Sequence, residues 1–496
     1  MVYLINSFFC TVLLRVQKYI QKIGFIILIL WACKIPLHAQ EMQWSNPIKL
    51  KGGAIFPRVI GENSSGVFLM RYRNRFYTKS IFLERYNSDL NLDLSLYVDL
   101  KNAQILKVQL TPKGILIVKS KRNKVDKNYI VTGSWLSFDL KSLGDEITLF
   151  THSNKHPVGS NSIQICMNDS LSQLMVSRVR TSNNTSIIAT YLFDQNFEII
   201  QLKDYRFSYQ YQIKLKDLVI NNRKTATLYI RKSDQLDSKS QNILMTIRKD
   251  TILSYTFADS ITVGSASLVY NRSDDVAQFV GFYRPKTGIG YVGIVFSNLD
   301  SNQLLWDTKY RRFDPKWLKS QNTGSFSLNT IAEDFSLKTC VPQSDGGLLI
   351  IAEQKDISSE SDIYIINGIS QSTAKNIYKF NEILSLSYDN EYHPQWLQRI
   401  TKNQITINDG GYFSSAALFV NKKYTQLLYN DQFRNSGEVV QYTMYNTGQT
   451  NSQKLIKTEL DYLAIIPDGA KQVSPHTLIV PTYKNRRFSL LKLIYN

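Results

Sequence analysis

The chain is poor in the residues that most often mark chemistry. Its 496 residues include four cysteines and five histidines. So few cysteines exclude a disulfide-dense scaffold, and so few histidines exclude a histidine-rich metal store. There is no Gly-x-Ser-x-Gly elbow, no His-Glu-x-x-His, and no phosphate-cradling glycine loop ending in Lys-Ser or Lys-Thr. Beyond residue 39 no run of 18 consecutive apolar residues occurs, so the mature chain is expected to carry no transmembrane span. Acidic residues are the minority, 40 against 59 Lys and Arg, for a formal net charge of +19. Hydrophobic residues reach 43 % and charged residues 20 %, which excludes wholesale disorder. Aromatics are plentiful, with 29 Tyr and 24 Phe, and they favour strands over helices.

Residues 1–39 have the character of a signal peptide. Arg15, Lys18 and Lys22 form a basic stretch without an acid, followed by the apolar core Phe25-Ile26-Ile27-Leu28-Ile29-Leu30-Trp31-Ala32. That core is too short for a membrane anchor. A cut after Ala39 removes four basic residues and no acidic one, leaving +15 on residues 40–496. Cys33 would be lipidated only if cleavage fell before it, and Trp31 is bulky for such a site. Cys166 and Cys340 then remain, as two isolated thiols in preference to one long-range disulfide. The expected location is exported: periplasmic, outer-membrane-associated or extracellular.

After residue 45 short apolar runs alternate with Gly, Asn, Asp and Ser clusters, the pattern of strands and turns. Val67-Phe68-Leu69-Met70, Ile115-Leu116-Ile117-Val118 and Leu348-Leu349-Ile350-Ile351 are apolar throughout, as suits strands covered on both faces. The pattern repeats. A polar turn leads into an apolar strand at 63–67, 111–115, 168–172, 272–276, 343–347 and 407–411. A strand–turn–strand element follows at 83–90, 192–197, 295–300, 386–390 and 444–448. Gly66 and Gly114 are 48 residues apart, the length of a four-stranded propeller blade. The expected fold is therefore all-β: one β-propeller-like domain over 40–496, with about seven, or eight, four-stranded blades. The final strand, from Phe488 to Tyr495, and the segment from Trp44 to Leu50 would complete one blade. An insertion is expected at 320–325.

Within 340–435 the segments Pro342-Gln343-Ser344-Asp345-Gly346-Gly347, Gln395-Trp396-Leu397-Gln398-Arg399 and Asn408-Asp409-Gly410-Gly411-Tyr412 carry a family resemblance. This region resembles secreted Gram-negative bacterial proteins with propeller-type repeats and no assigned activity. The resemblance covers about 100 residues. It implies export and a repeat β fold, and it carries no catalytic residue across.

Of the histidines after residue 39, His152 and His156 lie in a loop by composition, and His393 stands beside Pro394 in a turn. No metal and no cofactor is expected. Asp274, Asp275, Asp345 and Asp409 occupy equivalent turns and could converge as the two carboxylates of a glycoside hydrolase. Turn chemistry alone also predicts Asp there. Basic and aromatic clusters supply the candidate ligand-binding residues Arg71, Arg73, Arg75, Tyr77, Arg311, Arg312, Arg486 and Arg487. Such a field attracts polyanions, although Lys and Arg also guard edge strands. The function expected is a non-enzymatic binding or scaffold module of the cell envelope, for an acidic glycan or a protein partner and not for nucleic acid. The alternative is a carbohydrate-active hydrolase with carboxylates at the propeller channel.

Overall fold

A computed structural model describes residues 40–49, 56–72, 80–101, 103–123, 125–126, 128–153, 162–182, 185–208, 211–234, 240–249, 251–272, 275–300, 305–320, 330–366, 369–431, 438–456, 463–485 and 487–495. The expected signal peptide and Cys33 lie outside them. Packing separates a large unit, Gln43–Lys492, from a small one made of Met1–Met42 and Leu493–Asn496.

The large unit is an eight-bladed propeller of antiparallel sheets, at the upper of the two expected counts. The inner strands of blades 1 to 8 are Phe56–Asn63, Ala103–Leu110, Ile163–Met167, Tyr211–Ile220, Ile261–Asn271, Phe335–Pro342, Ala417–Val420 and Lys471–Ser474. The inner strands of blades 3 to 6 adjoin in turn, as do those of blades 7, 8, 1 and 2, including that of blade 8 against that of blade 1. Blade 8 joins both ends of the sequence: Gln40–Trp44 and Ile48–Lys49 lie beside Arg487–Tyr495. Ser45 N–H donates to the Leu490 carbonyl at 2.9 Å, and Ile48 is in register with Phe488. This is the closure expected from the two terminal runs.

Alternation along the second strand of each blade explains the uninterrupted apolar runs. In blade 1, Phe68 and Met70 pack on blade 2, while Val67 and Leu69 pack on blade 8. In blade 6, Leu348 and Ile350 face blade 5, while Leu349 and Ile351 face blade 7. Successive side chains of a strand point to opposite faces, so a sheet covered on both sides needs apolar residues at every position. The core is thus a set of layers between blades. Each fully buried side chain of this kind contributes about 1.5–3 kcal/mol.

All five strand–turn–strand elements are hairpins between third and fourth strands. Five of the six polar turns connect first to second strands. The sixth, at 407–411, instead leads from blade 6 into blade 7, because Gln404–Ile407 adds a strand beside the extended hairpin Leu348–Ile366 and Ile369–Tyr388. Between blades 5 and 6 the chain inserts a short helix, Pro315–Ser320; residues 321–325 of the expected insertion lie outside the described set.

Two first-to-second turns need glycine. Gly66 has φ +127°, and a Cβ there would stand 2.0 Å from the Tyr86 carbonyl oxygen; at Gly114, φ +153°, it would stand 2.2 Å from that of Leu136. Gly66→Ala is expected to cost about 1–3 kcal/mol in backbone strain before the contact is counted. A lower urea midpoint at unchanged slope would register it. Stability equal to wild type would mean that the turn is not held at positive φ.

Candidate functional site

In a four-stranded antiparallel blade, the turns after the first and third strands lie at the same end. The recurrent Asp and Asn turns therefore share one face of the propeller. On that face the C-terminal ends of five inner strands, joined by Lys471–Ser474, surround a cavity of about 490 Å³. Gly61, Leu110, Cys166, Ile220, Tyr270 and Gln472 contribute to its wall, one from each of six blades.

The turn carboxylates are committed to the turns. Asp345 Oδ1 accepts from Gly347 N–H at 2.9 Å. Asp409 Oδ1 accepts from Thr406 Oγ1 at 2.7 Å and Gly411 N–H at 2.8 Å. Asp275 joins blades 4 and 5, accepting from Asn222 N–H at 3.2 Å and from the Tyr270 hydroxyl. These bonds are the local role that Asp plays in turns, and among the described residues they leave no pair of free carboxylates spanning the cavity. Asp274 lies outside the described residues.

At the rim, opposite charges cancel. Glu62 pairs with Lys492 at 2.5 Å, and Asp169 with Arg272 at 2.8 Å. Three cations stand on neighbouring inner strands: Lys471 of blade 8, a wall residue of the cavity, Arg58 of blade 1 and Lys107 of blade 2. Arg58 and Lys107 make no ion pair among the described residues. Burial, and then repulsion from Lys107 and Arg58, push the Lys471 ammonium down to about 8. Burial lowers Lys107 as well; the neighbouring Cys166 opposes that shift and Arg58 adds to it. Cys166 itself is pushed up to about 12, chiefly by burial. Cys166 and Cys340 are both free thiols, so no disulfide joins them.

A second charged cluster, between blades 6 and 7, pairs its own charges. Glu353 is fully buried; Lys402 Nζ lies 3.0 Å from it and Lys355 Nζ 3.6 Å. Ser415 Oγ donates to Glu353 at 2.6 Å and accepts from Lys338 Nζ at 2.6 Å. Ser415 is itself buried and its proton already has an acceptor, so this arrangement holds structure and offers no nucleophile.

The cations expected from sequence clusters are dispersed. Arg71 requires a correction: it is buried, with Nε donating to Glu84 at 2.7 Å and its guanidinium 5.3 Å from the Phe82 ring. It cannot reach a surface ligand. Arg311 is half-buried and donates to the backbone carbonyls of Tyr392 and Glu391, both at 3.0 Å, fastening blade 5 to blade 6. Arg312 and Arg487 are exposed but belong to blades 5 and 8. Arg73, Arg75, Tyr77 and Arg486 lie outside the described residues. Sequence clustering missed Arg58, Lys107 and Lys471, since each is a lone cation within an inner strand. A single Lys or Arg at the channel-facing position of successive first strands is the signal that could have found them.

Among the described residues no group of three or more His, Cys, Asp or Glu could hold a metal ion. No described helix is long and apolar enough to cross a membrane.

No protein-family model and no curated protein matches the chain. Solved structures similar to it include three proteins with low identity. Apo prolyl oligopeptidase B from Galerina marginata is 11 % identical with a TM-score of 0.40, over 89 % of this chain and 55 % of that one. The β-propeller domain of Vanderwaltozyma polyspora Nup133 is 12 % identical with a TM-score of 0.39, over 79 % of this chain and 100 % of that one. The β-propeller domain of the trilobed protease from Pyrococcus furiosus, which has an open velcro topology, is 9 % identical with a TM-score of 0.36, over 84 % of this chain and 96 % of that one. The chain spans about half the length of the prolyl oligopeptidases it matches, and the likeness is one of fold alone.

Proposed function

We propose that the protein is an exported cell-envelope protein that acts as a non-enzymatic binding module for an acidic glycan, received at the turn-bearing face. The observation that carries this reading is the set of cations on adjoining inner strands, Lys471 among them in the cavity wall, beside rim charges that are already paired. The basic stretch and apolar core of residues 1–39 support export. The commitment of Asp345 and Asp409 to their own turns supports binding without turnover. Arg312 and Arg487 would add long-range attraction rather than contacts within the cavity.

Glycan-array binding of the purified protein at low and at physiological salt tests the reading. Retention of uronate-bearing or sulfated glycans, weakening as salt rises, is the expected result. An array with no retained glycan, or release of reducing ends from a bound polysaccharide, would overturn it.

A further inference from the structure

These cations do more than bias the field of the cavity. We propose that Arg58, Lys107 and Lys471 form a built site for a small oxyanion, the carboxylate, sulfate or phosphate group of a ligand whose remainder occupies the cavity. The inference rests on the reading of the protein as an acidic-ligand binder and names the group it grips.

Three features of geometry support it. First, the three residues stand on three consecutive inner strands, Lys471–Ser474, Phe56–Asn63 and Ala103–Leu110, whose neighbours adjoin around the channel. Strand alternation puts Lys107 on the same face as Gln109, a wall residue of the cavity, and Lys471 is itself a wall residue. Second, the carboxylates nearest the cavity are already neutralised, Glu62 by Lys492 and Asp169 by Arg272. Asp217, the carboxylate of the inner strand of blade 4, accepts from Ser267 Oγ at 2.9 Å and Leu268 N–H at 2.8 Å on blade 5. Third, among the described residues Lys471 alone of the three cations has a hydrogen-bond acceptor, the Ile60 carbonyl. That single bond positions the ammonium and leaves its other two donors available.

Two of the three cations, Lys107 and Lys471, are held in partly desolvated positions, where an unpaired charge costs free energy. An oxyanion removes the cost: it accepts charge-assisted hydrogen bonds from all three and cancels their mutual repulsion. Burial, and then repulsion from Lys107 and Arg58, depress the Lys471 ammonium, and a bound anion would oppose both effects. The cavity wall is mixed, with Leu110, Ile220 and Tyr270 beside Gln472 and Asn168. That suits a sugar ring, which presents apolar faces and hydroxyl edges, better than a purely apolar ligand.

Calorimetric titration of the purified protein with glucuronate, inorganic phosphate, inorganic sulfate and glucose tests the site, with Arg58→Gln, Lys107→Met and Lys471→Arg as variants. Arg58 is exposed in the channel, so Arg58→Gln should fold as the wild type does, and Lys471→Arg keeps the charge. Saturable binding of at least one anion, with glucose inert, is expected. It should weaken tenfold or more in Arg58→Gln and in Lys107→Met, and persist in Lys471→Arg. Glucuronate binding identifies the group as that of a glycan, whereas binding of phosphate or sulfate alone assigns the site to a free ion. Anion binding unchanged in both charge-removing variants, or none at all, would overturn the oxyanion site. If array glycans still bind those variants unchanged, only this inference falls. If anions bind through the three cations while the array is empty, the glycan reading falls and the site stands.

Discussion

Replacing Glu353 by glutamine is expected to cost about 3–5 kcal/mol of unfolding free energy, the penalty for leaving buried charge without its partner. Glu353 is the carboxylate shared by Lys402, Lys338 and Lys355 in the layer between blades 6 and 7. Burial alone would raise its pKa, but the three ammonium groups outweigh burial and hold it below the ordinary carboxylate range. Burial pushes Lys402 down to about 8 despite the attraction of Glu353.

The pH dependence follows from these directions. Between about 8 and the ordinary 10.5 the unfolded chain binds a proton at Lys402 that the folded protein has released. Stability contributed by this group therefore rises with pH across that window. Glu353 acts at the acid end. Its contribution is present above its ordinary value of 4.5 and is lost as pH falls through its lower folded value. In Glu353→Gln the lysines lose their counter-charge, so Lys402 should release its proton more readily still. The window of rising stability should then reach below pH 8. Urea melts from about pH 3 to 10 measure both effects. A variant as stable as wild type at neutral pH would show that the lysines do not depend on Glu353.

Arg71→Met is expected to cost a similar amount, about 3–5 kcal/mol, because it strands Glu84 in the layer between blades 1 and 8. Glu84 has no exposed surface, and its other bond is the one donated by the Tyr86 hydroxyl at 3.0 Å. The same variant should leave ligand binding unchanged in whatever fraction remains folded. Its urea midpoint should fall while the salt dependence of anion binding keeps its slope. Loss of anion binding without loss of stability would restore Arg71 to the surface.

These two residues mark the boundary of what the sequence makes legible. Periodicity reports which faces are covered. The apolar runs at 67–70 and 348–351 therefore disclosed sheets packed on both sides, and the turn pattern disclosed the hairpins. Periodicity does not report how a charge is satisfied. Arg71 belongs to a basic cluster in the sequence, yet Glu84, 13 residues away on the facing strand, draws it inside. The turn of blade 4, Asn221 to Thr225, escaped notice because it carries neither Gly nor Asp nor Ser, with Arg223 and Lys224 in their place; Asn221 Oδ1 accepts from Thr225 N–H at 2.8 Å and closes it. Blade 8 draws strands from both ends of the chain, so no single segment displays it whole. The three cations are assembled by closure of the ring, which brings Lys471 beside a strand more than 400 residues earlier in the sequence.

Hydrogen–deuterium exchange with and without oligogalacturonate, a soluble polyuronate, tests the binding account most directly. Slowed exchange is predicted at 58–62, 107–110, 166–169 and 471–473, where the inner strands reach the cavity, with the oligosaccharide recovered at its original length. Protection confined to the outer strands of the blades, or shortening of the oligosaccharide, would contradict binding at the channel without turnover.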